Sequence, residues 1–448
     1  MKRVFPTITT LLALAPPVLA QSAVLELGDA LKTLPNTLDW QSADLNYESV
    51  LRQLEAAQAA QGFKLSGGAD YTLRESTGSN LTLSSTASIG VLPWSSSADA
   101  IRSAQRALER ATLARRDARN NLYIALHTQY FNLRQTQNDL TIAQATLALR
   151  ERQLQIVTAQ NQAGTATLSD LLTAQQNLDA ARSGLVNAQG AAEIARLTLA
   201  GTLGLNPQNL NQLNTLPSEP DLPSENLEAL LQRAYTNRSD ILRAQSQLQD
   251  AEENLASAQR DRLIPNAALS TGFSTGGSNA TSVSAGLNFK SGTVSLSGAV
   301  PIVQGTGGTP QPQGWNVGLS LSVPIFDPVS DSRINSTQTT LQATRQALET
   351  TRKAAELDVR QKYQSLQTAK ASIAAARAGL NAANQSLRTA QARLQAGTGT
   401  TVDVQAAQVS QLQAQRNLES ALAQAQLAAL ALQNALGTDL TTGLGGNR

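Results

Sequence analysis

Two aspartates stand out because their surroundings repeat. Asp170 follows Gly164-Thr165-Ala166-Thr167, and Asp403 follows Gly397-Thr398-Gly399-Thr400. A carboxylate just inside a helix start has two uses. It offsets the helix dipole as a solvated charge, or rotational symmetry multiplies it into an acidic ring that favours cations in a constriction.

Other chemistry is hard to assemble. His127 is the only histidine, mid-helix, so no imidazole pair exists for a metal. The chain has no cysteine, which removes disulfides, thiolate sites, a cysteine nucleophile and a lipid-bearing N-terminal cysteine. There is no P-loop and no His-rich motif. The sequence therefore predicts no enzyme, no cofactor and no metal. A net charge of +2 with 3% aromatic residues points away from nucleic acid.

The elements that must carry these aspartates are duplicated. Residues 101–204 align with 334–437 without a gap, at a constant offset of 233. Ile101 matches Ile334, Tyr130 matches Tyr363, Leu154 matches Leu387, and Leu203-Gly204 matches Leu436-Gly437. A self-match this long is the mark of a repeat. Residues 101–162 contain no Pro or Gly and are rich in Ala, Leu, Gln and Arg, so they predict one helix of roughly 90 Å. Gly164 ends it as a glycine cap would. Thr167 or Ser169 then caps a second helix over 168–203. A Pro-rich linker, 205–224, precedes a further helix over 226–262. The stripe on these helices is thin and alanine-heavy, as at Ala374, Ala375, Ala378 and Ala382, which suits close helix packing.

Ahead of each long helix the period changes to two. In 81–91, Leu81, Leu83, Ala87, Ile89 and Val91 alternate with Thr82, Ser84, Thr86 and Ser88. In 315–325, Trp315, Val317, Leu319, Leu321, Val323 and Ile325 alternate with small polar residues. Residues 64–73 repeat the pattern, with Lys64 and Asp70 on the polar side. Such segments fit tilted membrane strands, or a half-buried soluble sheet. Trp94 and Trp315 flank strands and suit a membrane interface or strand-end packing. The second repeat carries about 30 extra residues, with two more alternating segments joined by Lys290-Ser291-Gly292. They read as two further wall strands or as an external flap.

Residues 1–20 read as a secretory signal: Lys2 and Arg3, an apolar stretch, then Val18-Leu19-Ala20. The mature chain is expected to begin near Gln21. The expected organisation is a signal peptide (1–20), a first repeat (21–224) and a second repeat (225–448, with strands over 265–325).

These residues resemble the outer-membrane efflux proteins of the TolC type. The most specific parts are the two hairpin tips, 163–175 and 396–408, where the family shows an arginine, then Gly, then Asp-Val-Leu. Arg393 fits that arginine in the second repeat, and Gln160 replaces it in the first. Val323-Pro324-Ile325-Phe326-Asp327 is similar to the family's strand-to-helix junction, and 234–241 to its helix-opening segment, with Arg238-Ser239 in place of Pro. The resemblance implies a mainly α chain with transmembrane β. Its trimer would form an outer-membrane β-barrel of four strands per chain, or six if the extra pair joins the wall, continued by a long periplasmic α-helical barrel.

The resemblance also implies a passive duct for efflux or type I secretion, docked to a periplasmic adaptor and an inner-membrane transporter. Asp170 and Asp403 would form the periplasmic gate. Gly164, Thr165, Leu168, Gly397, Thr398 and Val402 would form the tips that meet the adaptor. Gly399 and Ala406 stand where some members carry an arginine and a second aspartate, so an ionic latch or double ring does not carry over. A structural envelope spacer and a soluble coiled-coil adaptor are the rival readings.

Overall fold

The computed structural model describes residues 25–74, 78–210, 213–277, 280–303, 312–323, 326–442 and 444. The expected signal peptide, the turn 75–77 and Pro324-Ile325 of the strand-to-helix junction lie outside the described residues.

In chain order the elements are α1 (Leu27–Thr33), α2 (Leu38–Gln61), β1 (Lys64–Arg74), β2 (Gly78–Gly90), α3 (Ser96–Gln162), α4 (Leu168–Leu203), α5 (Leu227–Asn237), α6 (Ser239–Leu263), β3 (Asn266–Ser274), β4 (Ser282–Asn288), β5 (Thr293–Val303), β6 (Gly314–Ser322), α7 (Pro328–Gln395) and α8 (Thr401–Ala435). Helix α3 has 67 residues and α7 has 68, which at 1.5 Å per residue is about 100 Å each. Long runs of helix-forming side chains explain the length, with Gly379 the one glycine inside α7. Among the described residues no helix is long and apolar enough to cross a membrane.

The chain divides into two compact units that cut across the sequence repeats. The first takes the chain up to Thr37, Ala125–Ser218 and Ser372–Gln424. Its centre is Tyr130, which is fully buried. The Tyr130 hydroxyl donates to the Leu25 carbonyl and accepts from the Thr215 N–H, each at 3.0 Å. Beside it, Leu25 and Leu213 form an isolated parallel bridge. Arg134 on α3 donates to Glu419 on α8 at 2.9 Å and to the Leu213 carbonyl at 3.1 Å. Tyrosine and arginine thus tie the N-terminal segment and the linker after α4 to the helices.

The second unit holds Leu38–Ile124, Glu219–Ala371 and Ala425–Arg448. Leu230, Leu231 and Ala234 of α5 pack on Val359 and Leu366 of α7 and on Leu432, Ala435 and Leu436 of α8. Tyr363 lies against this cluster. An 11-residue helix is marginal alone. Burying each of its two leucines contributes roughly 1.5–3 kcal/mol, which holds α5 in place.

The helix expected over 226–262 is broken. Arg238 adopts extended backbone (ψ 128°) between α5 and α6. Neither proline nor glycine occurs between Leu227 and Leu263. The Arg238 guanidinium instead donates to Asp240 at 2.9 Å and to Asp358 on α7 at 2.7 Å. Gly437, at φ +73°, follows α8 and sits against the same break. A Cβ there would collide with the Asn237 carbonyl oxygen.

Among the described residues, the six strands of the second unit form one antiparallel sheet in the order β1-β2-β5-β4-β3-β6. The extra hairpin of the second repeat, β4–β5, lies inside the sheet between β2 and β3. Of the two expected arrangements, four strands or six, the sheet has six among the described residues.

Candidate functional site

Two places gather the residues singled out by sequence: the faces and ends of the sheet, and the two helix tips.

Register across the sheet sorts its faces. Leu65 pairs with Ala87, Ala87 with Leu296, Leu296 with Ala285, Ala285 with Thr271, and Thr271 with Val317. A second row runs Ile89, Val294, Leu287, Leu269, Leu319. The alternate positions run Ser66, Thr86, Ser297, Ser284, Gly272, Asn316. Directly opposed residues share a face. One face is therefore almost wholly apolar across all six strands, and the other is Ser, Thr, Gly and Asn. The apolar face is uncovered, with Leu319 at 74% and Leu65 at 71% exposed. Water would penalise such a face; lipid does not. Eleven-residue β1, at ~3.3 Å rise and ~40° tilt, spans about 28 Å, close to the apolar height of a membrane barrel. On the polar face the charges are Lys64 and Asp70, among the residues whose side chains are described.

The two tryptophans lie at opposite ends of this sheet. Trp315 begins β6, is 78% exposed, and tilts against Phe273 at 5.2 Å between ring centroids. Trp94 lies at the helix end, where its indole N–H donates to the Phe289 carbonyl at 3.0 Å. That bond pins the β4–β5 turn. The Val91 and Leu92 N–H groups add bonds to the Gly292 carbonyl, at 2.9 and 3.2 Å. Gly292 has φ +67°, which only glycine adopts easily. Sequence reasoning singled out Lys290-Ser291-Gly292 as a turn but missed its anchorage. Only Gly292 signalled it.

The tips are built alike. Gly164 and Gly397 have φ +74° and +75°. The Thr165 N–H donates to the Gln160 carbonyl at 2.8 Å, and the Thr398 N–H to the Arg393 carbonyl at 3.0 Å. These bonds satisfy carbonyls that the helix end would otherwise orphan. The next helix opens on a reciprocal cap. The Thr167 N–H donates to Asp170 Oδ2 at 2.9 Å, and the Asp170 N–H donates to Thr167 Oγ1 at 3.2 Å. Thr400 and Asp403 reproduce both distances. Thr167, and not Ser169, is thus the cap. Asp170 is held below the ordinary carboxylate range, first by the Thr167 hydroxyl and then by its N–H. Asp403 is also lowered, first by the Thr400 N–H and then by its hydroxyl.

The structure brings the two tips together. Ile156, Val157, Asp170, Ala174, Thr400 and Val402 line a largely apolar groove of about 470 Å³. Leu168, which opens α4 at the first tip, is 64% exposed. Gly399 is tightly placed: a Cβ there would lie 2.9 Å from the Arg393 Cβ.

His127 is buried and meets the Phe131 ring edge-on at 6.3 Å, which makes it a packing residue. No group of metal-ligating side chains occurs among the described residues.

A sheet with one lipid-type face and one polar face, carried by a chain of paired long helical hairpins, defines an outer-membrane channel protein. The chain belongs to the outer membrane efflux protein family, whose model matches residues 32–205 and 230–438. The family is one of passive channels, not enzymes. Solved structures share the fold at low identity. The Campylobacter jejuni CmeC outer membrane channel matches with a TM-score of 0.69 at 16% identity, over 92% of this chain and 85% of that one. The Vibrio cholerae outer membrane protein VceC matches at 0.64 and 19%, over 92% and 96%. The open state of the Neisseria gonorrhoeae MtrE outer membrane channel matches at 0.65 and 20%, over 92% and 89%. Comparison with curated protein sequences returned no match.

Proposed function

We propose that three copies of this chain form a duct of an efflux or type I secretion system. It conducts cargo passively from an inner-membrane transporter across the periplasm and the outer membrane. The observation that carries this reading is the sheet: an apolar outer face, a polar inner face and two unpaired edges. Only a closed barrel of such strands satisfies its backbone in lipid, and one chain leaves β1 and β6 unpaired. Exposed alanines such as Ala374, Ala375 and Ala378 let helices of neighbouring copies approach closely. The helices then extend into the periplasm as an α-barrel.

In this reading Asp170 and Asp403 line the periplasmic constriction, while their caps hold the tips in shape. The tip residues Gly164, Thr165, Leu168, Gly397, Thr398 and Val402, with the apolar groove beside them, receive the helical hairpin of a periplasmic adaptor. Trp94 and Trp315, at opposite ends of the strands, sit at the two membrane interfaces.

The test is export in cells lacking the chain, with and without the cognate adaptor. Adaptor-dependent export that Leu168→Asp and Val402→Asp abolish, with the oligomer intact, supports the duct. A sealed oligomer that restores envelope spacing without export supports the spacer instead. A chain extracted without detergent would point to a soluble adaptor, a reading that family membership already opposes.

A further inference from the structure

The extra hairpin of the second repeat is where this chain departs from its own duplication. The first repeat supplies two strands, β1 and β2; the second supplies β3 and β6 in the matching places, and then β4 and β5 besides. A hairpin grown into an external loop would hang from the sheet. This one does not. β5 pairs with β2 from Gly90↔Thr293 to Leu81↔Val303, and β4 pairs with β3 from Ala268↔Asn288 to Ser274↔Ser282. β2 and β3 do not touch as neighbours; the hairpin lies between them.

Three further observations fit the same placement. From Gly90↔Thr293 to Thr82↔Pro301 the face pattern continues through the hairpin, with a bulge only beyond, between Thr82 and Leu81: Leu296 and Ala285 fall in the apolar row, and Ser297 and Ser284 in the polar row, where their hydroxyls bond at 2.7 Å. A register shift of one residue would have reversed both faces. The turn is fastened at the helix end of the sheet, through Trp94, Val91 and Leu92. Gly292 leaves no room there: a Cβ would lie 2.9 Å from the Leu92 Cβ.

We propose that β4 and β5 are permanent strands of the barrel wall, so that three copies close a barrel of eighteen strands. The inference rests on the trimeric duct proposed above. Each chain contributes six antiparallel strands, an even number, so β1 and β6 run in opposite directions. The β6 edge of one copy therefore meets the β1 edge of the next in antiparallel sense. That contact is head-to-tail, and repeated rotation closes it into a ring without free edges. Barrel diameter grows roughly linearly with strand number, so eighteen strands give a bore about 1.5 times that of twelve. At that size the barrel encloses an aqueous channel rather than a filled core. Its lining is mostly Ser, Thr, Gly and Asn, with Lys64 and Asp70 the charges among the described side chains, so the exit passes bulky cargo of either charge.

The chain lacks cysteine, which makes the test clean. Leu83 on β2 and Val300 on β5 are direct partners. The double variant Leu83→Cys with Val300→Cys is purified as the detergent-extracted oligomer and oxidised, and the unmodified oligomer is imaged by electron microscopy. An intrachain disulfide within the assembled oligomer, and eighteen strands in its cross-section, are expected. An intact trimer with twelve strands and no disulfide overturns this inference and leaves the proposed duct standing. A chain that remains monomeric in mild detergent overturns both.

Discussion

At the scale of single residues, Asp170 and Asp403 carry two readings at once, and the structure separates them into testable parts. Each carboxylate already has a partner: Asp170 accepts from the Thr167 N–H, and Asp403 from the Thr400 N–H. The aspartates' folded pKa is depressed, so the cap is fully present above the ordinary value of about 3.9 and is lost as pH falls through the lowered one. Hydrogen exchange of the amides opening α4 and α8 should therefore lose protection only in strong acid. A protection loss centred near neutral pH would contradict the cap. Thr400→Ala removes one half of the reciprocal pair, and about 1 kcal/mol of local stability, a roughly fivefold loss of protection at the second tip, is expected. The Thr-x-x-Asp spacing was legible in the sequence. The choice of Thr167 over Ser169 was not, because both residue types cap helices and only backbone geometry at Thr167 decides between them.

At the scale of elements, legibility followed local signals and failed where tertiary contacts overrode them. The long helices, the glycine turns and the alternating strands are written in local composition and period, and 168–203 emerged with the bounds read from the sequence. The break at Arg238 was not read from the residues themselves, because neither proline nor glycine stands there, although 234–241 resembled a helix-opening segment of the family. It is made by Asp358 from α7 and by the close approach of Gly437 after α8. The place of the extra hairpin was open for a related reason. Alternation shows that segments are strands, but pairing partners are set by contacts far along the chain. The two kinds of glycine predict different costs. Gly164 has a positive φ but open space around it, so Gly164→Ala should cost about 1 kcal/mol, the left-handed backbone penalty alone. Gly437→Ala adds a collision with the Asn237 backbone and should cost about 2–4 kcal/mol. Thermal unfolding of the two variants checks the order; equal costs would mean that the α5–α6 break does not depend on close approach.

At the scale of the whole molecule, charge is placed unevenly with respect to the proposed route. The net charge is only +2, and the polar face of the sheet offers Lys64 and Asp70, of opposite sign, among the side chains described. A wide wall with sparse charges discriminates ions weakly, because their fields are screened over about 10 Å at 0.1 M salt. Any ion preference must then arise where the bore is narrow and the charges agree in sign. In the proposed duct that place is the tips, where three-fold symmetry would bring three copies each of Asp170 and Asp403 around one axis. Single-channel recording of the purified oligomer under a salt gradient should show cation preference. Asp403→Asn keeps an acceptor for the Thr400 N–H but removes the charge, so the preference should fall while tip protection survives. Lys64→Gln and Asp70→Asn should leave the reversal potential unchanged. If Asp403→Asn leaves it unchanged as well, the aspartate serves the helix cap alone, and the constriction must be sought elsewhere along α7 and α8.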